Sequence, residues 1–183
     1  MSILQHNTTS DFKPRDFLAG FFRTAKTVLF SPRHFYDSAK GDKGLQSPFI
    51  FLACCVLVHT FFVAVSLQNT TAVTISLFNG LVMPFVTAGL LFLVLTRLFK
   101  TSGTYEQSFI VVAYSAATAL VSWIPLAGFL VEFYRVYLIA TGLSCIFSVR
   151  MSRAVLAIII VIVTYIVAFS ILGQVTGSHI AFQ

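Results

Sequence analysis

From residue 48 onward the chain is a succession of long apolar stretches. The charged residues there are few: Arg97, Lys100, Glu106, Glu132, Arg135, Arg150 and Arg153. In lipid every backbone N–H and C=O must be satisfied within the protein, so stretches of this kind are read as membrane-spanning helices. The whole chain supports that reading. It has 183 residues, of which 57% are hydrophobic and only 10% charged, whereas a soluble domain carries about 25% charged residues. A soluble globule of this composition would lack the polar surface to stay dissolved. The fold class expected is therefore all-α, a polytopic membrane protein.

A spanning helix needs about 20 mostly apolar residues. The sequence offers five such runs, at 48–67, 72–96, 109–124, 126–149 and 154–173. Their short connections favour antiparallel neighbours in a bundle of five helices. The third and fourth runs are separated by Pro125 alone, which ends one helix, starts the next, or kinks a single re-entrant segment. Pro84, flanked by Gly80 and Gly89, predicts a kink within the second run, a device for packing or for shaping a pocket.

Basic residues set the orientation. Arg97 and Lys100 lie in the second loop, Arg150 and Arg153 in the fourth, and seven more Lys and Arg in residues 1–47. The first loop, the Pro125 turn and residues 174–183 carry none. All the basic loops thus fall on one side, which places the amino end in the cytoplasm and a short tail, 174–183, on the outer side. No signal peptide is recognisable at the start. The net charge of +6 is read together with the hydrophobicity as an affinity for anionic lipid headgroups, not for nucleic acid, since nothing resembles an RNA- or DNA-binding module.

Residues 1–47 are the water-facing part. Within them an amphipathic helix is expected from Arg15 to Phe30: Phe17, Leu18, Phe21, Phe22, Ala25, Val28 and Leu29 form an apolar stripe largely opposite Arg15, Asp16, Arg23 and Lys26. Such a helix lies in the headgroup plane as a membrane-surface element, with Phe17, Phe21 and Phe22 toward the acyl chains and Arg23 and Lys26 toward water. Alternatively the same stripe packs on the cytoplasmic ends of the bundle. Ser31-Pro32 starts a second short helix that ends at Gly41.

Ionisable residues at membrane depth are costly and mark the default place to look for function. By the rise per residue, His59 lies roughly 12 Å, Glu132 roughly 9 Å and Arg135 roughly 13 Å from the outer ends of their helices. Asn79, Thr118 and Ser122 share that outer half, so one polar cluster of these six residues is expected. Glu132 and Arg135 are three apart and share a helical face; Tyr114, Thr118 and Ser122, spaced by four, form a polar stripe on the third run. The cluster either lines a cavity that coordinates a polar group or passes a proton, or it is hydrogen-bonded glue between helices. Tyr134, Tyr137 and Trp123 are interfacial anchors or cavity lining.

Chemistry-bearing motifs are missing. There is no HExxH, no GxSxG, no phosphate-binding glycine loop and no carboxylate cluster suited to a divalent metal, and the four His residues are dispersed along the chain. No catalytic residue, cofactor or metal is expected. Cys54, Cys55 and Cys145 sit in apolar runs as small hydrophobes.

Three stretches carry a family resemblance. VLFSPRHFYDSAKGDKGLQSPF (28–49) joins a Pro and aromatics to a glycine turn and a Pro before the first span; GTYEQSFIVVAYSAATALVSWIPL (103–126) leads from a polar start through small residues to a late Pro; GLSCIFSVRMSRAVLAIII (142–160) is a basic hinge into the last span. In this order and spacing they resemble the Yip (Ypt-interacting protein) domain family, in its compact bacterial form. The chain departs from many members at Phe147-Ser148, where they carry a His and a small residue. The resemblance implies a five-span, non-enzymatic protein of a bacterial inner membrane with its carboxyl end in the periplasm. Its expected partners are membrane lipids and other membrane proteins, or further copies of itself, and its expected role is that of an accessory or scaffold. A transporter of a small solute, proton or lipid that uses the polar cluster is the competing expectation.

Overall fold

The computed structural model describes residues 17–41, 44–122 and 125–180, and every regular element among them is helical. In chain order the α-helices are α1 (Phe17–Phe30), α2 (Pro32–Ala39), α3 (Gln46–Leu67), α4 (Thr70–Leu93), which runs on as a π-helical turn at Val94–Leu98, α5 (Tyr105–Ser115), α6 (Pro125–Ile146) and α7 (Met151–Ile180). Capping signals delimit them. Asn69 accepts from the backbone N–H groups of Thr71 and Ala72 at the start of α4, while Thr104 and Gln107 form a reciprocal capping box at the start of α5. Gln68 turns the chain out of α3 in the left-handed region, φ 47°. Pro125 opens α6 as its first residue, where its missing N–H costs nothing.

Four helices are long and apolar enough to cross a membrane, namely Gln46–Ser66, Thr70–Leu98, Gly128–Ile146 and Met151–Ile171. Their outward faces are apolar, with Phe61, Val65, Phe78, Ile162, Ile166 and Phe169 all exposed. Surface of this kind is stable only against lipid or another protein. The third expected run differs from the other four. It folds as α5, then winds into a tighter 3-10 segment at Ala116–Leu120, and its Phe109 to Ala113 stretch is fully buried. Wrapped on all sides, it needs neither the length nor the lipid-compatible face of its neighbours. The last helix also runs further than expected, since α7 continues to Ile180 through what the sequence marks as a tail.

The core is organised around α5, which packs against α3, α4 and α6. Phe85 stacks on Phe109 with ring centroids 4.5 Å apart, and Phe51 meets Tyr114 at 5.0 Å. The gap between α3 and α6 is filled by α1 and α2. At one end of α1, Phe21 rests on Phe51 of α3, 5.2 Å between centroids. At its other end the Leu29 carbonyl accepts from the Tyr134 hydroxyl of α6. In α2, Phe35 meets Tyr114 edge-on at 4.8 Å and the buried Tyr36 hydroxyl donates to the Val111 carbonyl of α5 at 3.3 Å.

The amphipathic segment is thus a wedge in the bundle wall that keeps one outward face. Phe21, Ala25 and Val28 are buried, while Leu18, Phe22 and Phe30 are exposed on the same side as Lys26, with Arg23 beside them. Of the residues expected to face the membrane surface, Phe21 therefore turns inward and Phe22, Arg23 and Lys26 outward. Arg15 and Asp16 lie outside the described residues, as does the side chain of Phe17. Lys40 at the end of α2 donates to the Ser148 hydroxyl at 2.6 Å, which ties the amino-terminal segment to the α6–α7 turn at the basic end.

Close approaches of helices depend on glycine. A Cβ at Gly80 would stand 2.7 Å from a Val56 methyl, and one at Gly142 would stand 2.8 Å from Val111 and 3.0 Å from the Tyr36 ring. The three cysteines are free thiols.

Candidate functional site

At the end of the bundle remote from Arg97 and Arg150, α3, α4, the 3-10 segment and α6 diverge around a cleft of about 350 Å³. Each wall is one face of an element. On α3 the lining residues Leu52, Val56 and His59 recur at helical spacing, and on α4 so do Ser76, Asn79, Gly80 and Met83. Thr118 and Ser122 border the floor, and Glu132 and Arg135 the α6 side. All six residues of the expected cluster meet at this cleft. Ser76, Gly80, Met83 and Pro84 line it as well, and sequence reasoning passed over Ser76. Its spacing of three from Asn79 was the available signal.

The interactions grade from satisfied to open. Thr118 is 2% exposed and its hydroxyl donates to the Ser115 carbonyl at 2.9 Å. His59 Nδ1 shares a 3.2 Å hydrogen bond with the Ser122 hydroxyl, joining α3 to the end of the third segment. Asn79 is exposed. The Glu132 and Arg135 side chains are 62% and 35% exposed and 3.8 Å apart, too far for a hydrogen bond. The pair stands on the rim, in the half of α6 where Phe129, Leu130 and Phe133 are exposed as well.

The polar stripe expected on the third run is broken. Thr118 and Ser122 border the cleft, but Tyr114 is buried against Phe35 and Phe51. The tighter winding from Ala116 onward advances about 120° per residue instead of about 100°, which rotates the later residues off the Tyr114 face. Tyr134, expected as an anchor or as lining, instead bonds to α1. Burial pushes the phenol of Tyr36, outside the long helices, well above its ordinary value, with the neighbouring Tyr114 adding to the rise.

Among the described residues no group of three or more His, Cys, Asp or Glu side chains is placed to hold a metal ion. The cleft offers hydrogen-bond donors and acceptors, one cation and one anion, and it opens beside an apolar groove. That is equipment for binding an amphipathic or polar group.

Helices of this length and apolarity, arranged around a buried central segment, define a multi-pass helical membrane protein. The Yip1 domain model matches residues 26–172, which takes in the end of α1, all of α2 to α6 and most of α7; the chain belongs to the Yip1 domain family. No curated protein and no solved structure matches it.

Proposed function

We propose that the protein is an integral membrane accessory or scaffold that associates with lipids and with other membrane proteins, and that carries out no covalent chemistry. The observation that carries the reading is the distribution of exposed surface: apolar, aromatic-rich helix faces surround a buried, mainly apolar core, a surface made for lipid and helix contacts. In this reading the chain crosses a bacterial inner membrane five times, with the amino end cytoplasmic and the carboxyl end periplasmic. The central segment reaches roughly 26 Å along its axis as eleven α and five 3-10 residues, against about 30 Å of hydrocarbon. The outward face of α1, with Phe22 beside Arg23 and Lys26, supplies the cytoplasmic contact to anionic lipid.

Affinity isolation from native membranes in mild detergent tests the proposal. It should recover defined protein partners, and it should still do so when Glu132 and Arg135 are both replaced by Leu, because a loose rim pair contributes little to assembly. Recovery of only the lone monomer in every detergent and lipid would overturn the scaffold reading.

The cleft favours a second reading, a permeation protein for a small polar solute or proton. Purified protein in liposomes would then show solute or proton flux that His59→Ala with Glu132→Gln abolishes; no flux with any candidate excludes it.

A further inference from the structure

We propose that the cleft and the groove beside it form a single site for one zwitterionic phospholipid, with the headgroup between Glu132 and Arg135 and an acyl chain lying along α4, α6 and α7. The proposal rests on the lipid-associating reading above and gives it a place and a chemistry.

Glu132 and Arg135 border two cavities at once. On one side is the polar cleft of about 350 Å³ with His59, Asn79 and Ser122. On the other is a second cavity of about 400 Å³, lined mainly by Met83, Val112, Val136, Ile139 and Phe169. Thr87 and Tyr165 share a 2.9 Å hydrogen bond there, which ties α4 to α7 and satisfies both hydroxyls, so they do not compete for a ligand. A polar chamber that continues into an apolar one through a pair of charges matches an amphiphile, and neither a free ion nor a hydrocarbon would use both.

The direction of the groove agrees. On α4, Met83 and Thr87 follow Asn79 by one and two turns toward the end that carries Arg97; on α6, Val136 and Ile139 follow Glu132 toward the Ser148 turn. Both walls descend from the charges toward the middle of the helices. A lipid seated this way has its headgroup nearer the loop end that lacks basic residues and its chain toward the bilayer centre, which is the orientation of lipids in that leaflet.

Charge selects the headgroup. The two side chains stand 3.8 Å apart, and among the described residues neither makes a hydrogen bond. A headgroup with a phosphate and an ammonium gives Arg135 an acceptor and Glu132 a donor at the same time. A purely anionic headgroup meets the repulsion of Glu132, and an uncharged one leaves the two charges with only each other, 3.8 Å apart, at a depth where weak pairing is costly.

The test is native mass spectrometry of the full chain in detergent with equal amounts of phosphatidylethanolamine, phosphatidylglycerol and diacylglycerol of identical chains, and with free phosphoethanolamine as a competitor. Phosphatidylethanolamine should be retained at least tenfold over the other two lipids and should not be displaced by phosphoethanolamine at equal concentration. Arg135→Gln and the groove-blocking Val136→Trp should each cut that retention tenfold or more, while Arg135→Lys should keep most of it; Ile139→Trp replaces Val136→Trp if the latter does not fold. Equal retention of the three lipids, displacement by the free headgroup, or unchanged retention in both the charge and the blocking variants overturns the proposal. Protein partners recovered as before alongside such a failure leave the scaffold reading standing. Lost partners with lipid selectivity intact reject the scaffold and keep the site.

Discussion

Tyr36 shows how much one side chain can hold. Its ring fills the space beside Gly142 and its hydroxyl reaches the Val111 carbonyl across 75 residues of sequence. Tyr36→Phe should lower stability by about 0.5–1.5 kcal/mol, the net value of one hydrogen bond, and Tyr36→Ala by about 3–5 kcal/mol, by analogy with other buried aromatics; thermal unfolding in detergent measures both. The phenol carries a pH signature too. Because burial raises its folded value, the unfolded chain loses this proton first, near pH 10. The contribution is therefore complete below about pH 10 and declines as pH rises further, and Tyr36→Phe should flatten that alkaline decline in midpoint-against-pH curves. At this scale the sequence was informative where a residue type is rare. His59, Glu132 and Arg135 stood out against their apolar surroundings, and counting the helical rise brought them to one level. It was silent on their degree of exposure. Nothing in the spacing of Glu132 and Arg135 says that the pair stands exposed on a rim.

Among the elements, α1 is the one whose reading changed most. An apolar stripe opposite basic residues describes a helix on a membrane and a helix packed on a bundle equally well, and the structure buries part of the stripe against the bundle and leaves the rest exposed. Phe21 is 4% exposed and Phe22 is 65% exposed, so the neighbours should respond differently to truncation. Phe21→Ala should destabilise by about 3–5 kcal/mol, whereas Phe22→Ala should stay within about 0.5 kcal/mol and instead weaken binding of the detergent-free protein segment 17–30, as a peptide, to anionic vesicles. Helix spacing makes a parallel point. Gly80→Leu, which drives a side chain into Val56, should cost about 1–3 kcal/mol by overpacking and prise α4 from α3, read as a lower unfolding midpoint. The four long helices were legible because each must satisfy its backbone against lipid. The burial of the central segment was not legible, because hydropathy does not distinguish a run that faces lipid from one that faces only protein. The tightening at Ala116 is hidden for the same reason, since Ala, Thr and Leu suit either winding.

For the molecule as a whole, the Yip1 domain match covers the elements that build the core. The stretches that carried the resemblance include Tyr36, which bonds to the central segment, and Ser148 after Ile146, which accepts from Lys40. The arrangement makes sense only in a bilayer, and it depends on the basic residues at one end of the bundle marking one side of the membrane. Accessibility of tags placed at the Met1 end and at the Gln183 end, probed in intact cells and after permeabilisation, tests that most directly. Five crossings predict the first tag protected until the membrane is opened and the second accessible from outside. Both tags in the same compartment would mean an even number of crossings and would contradict the account.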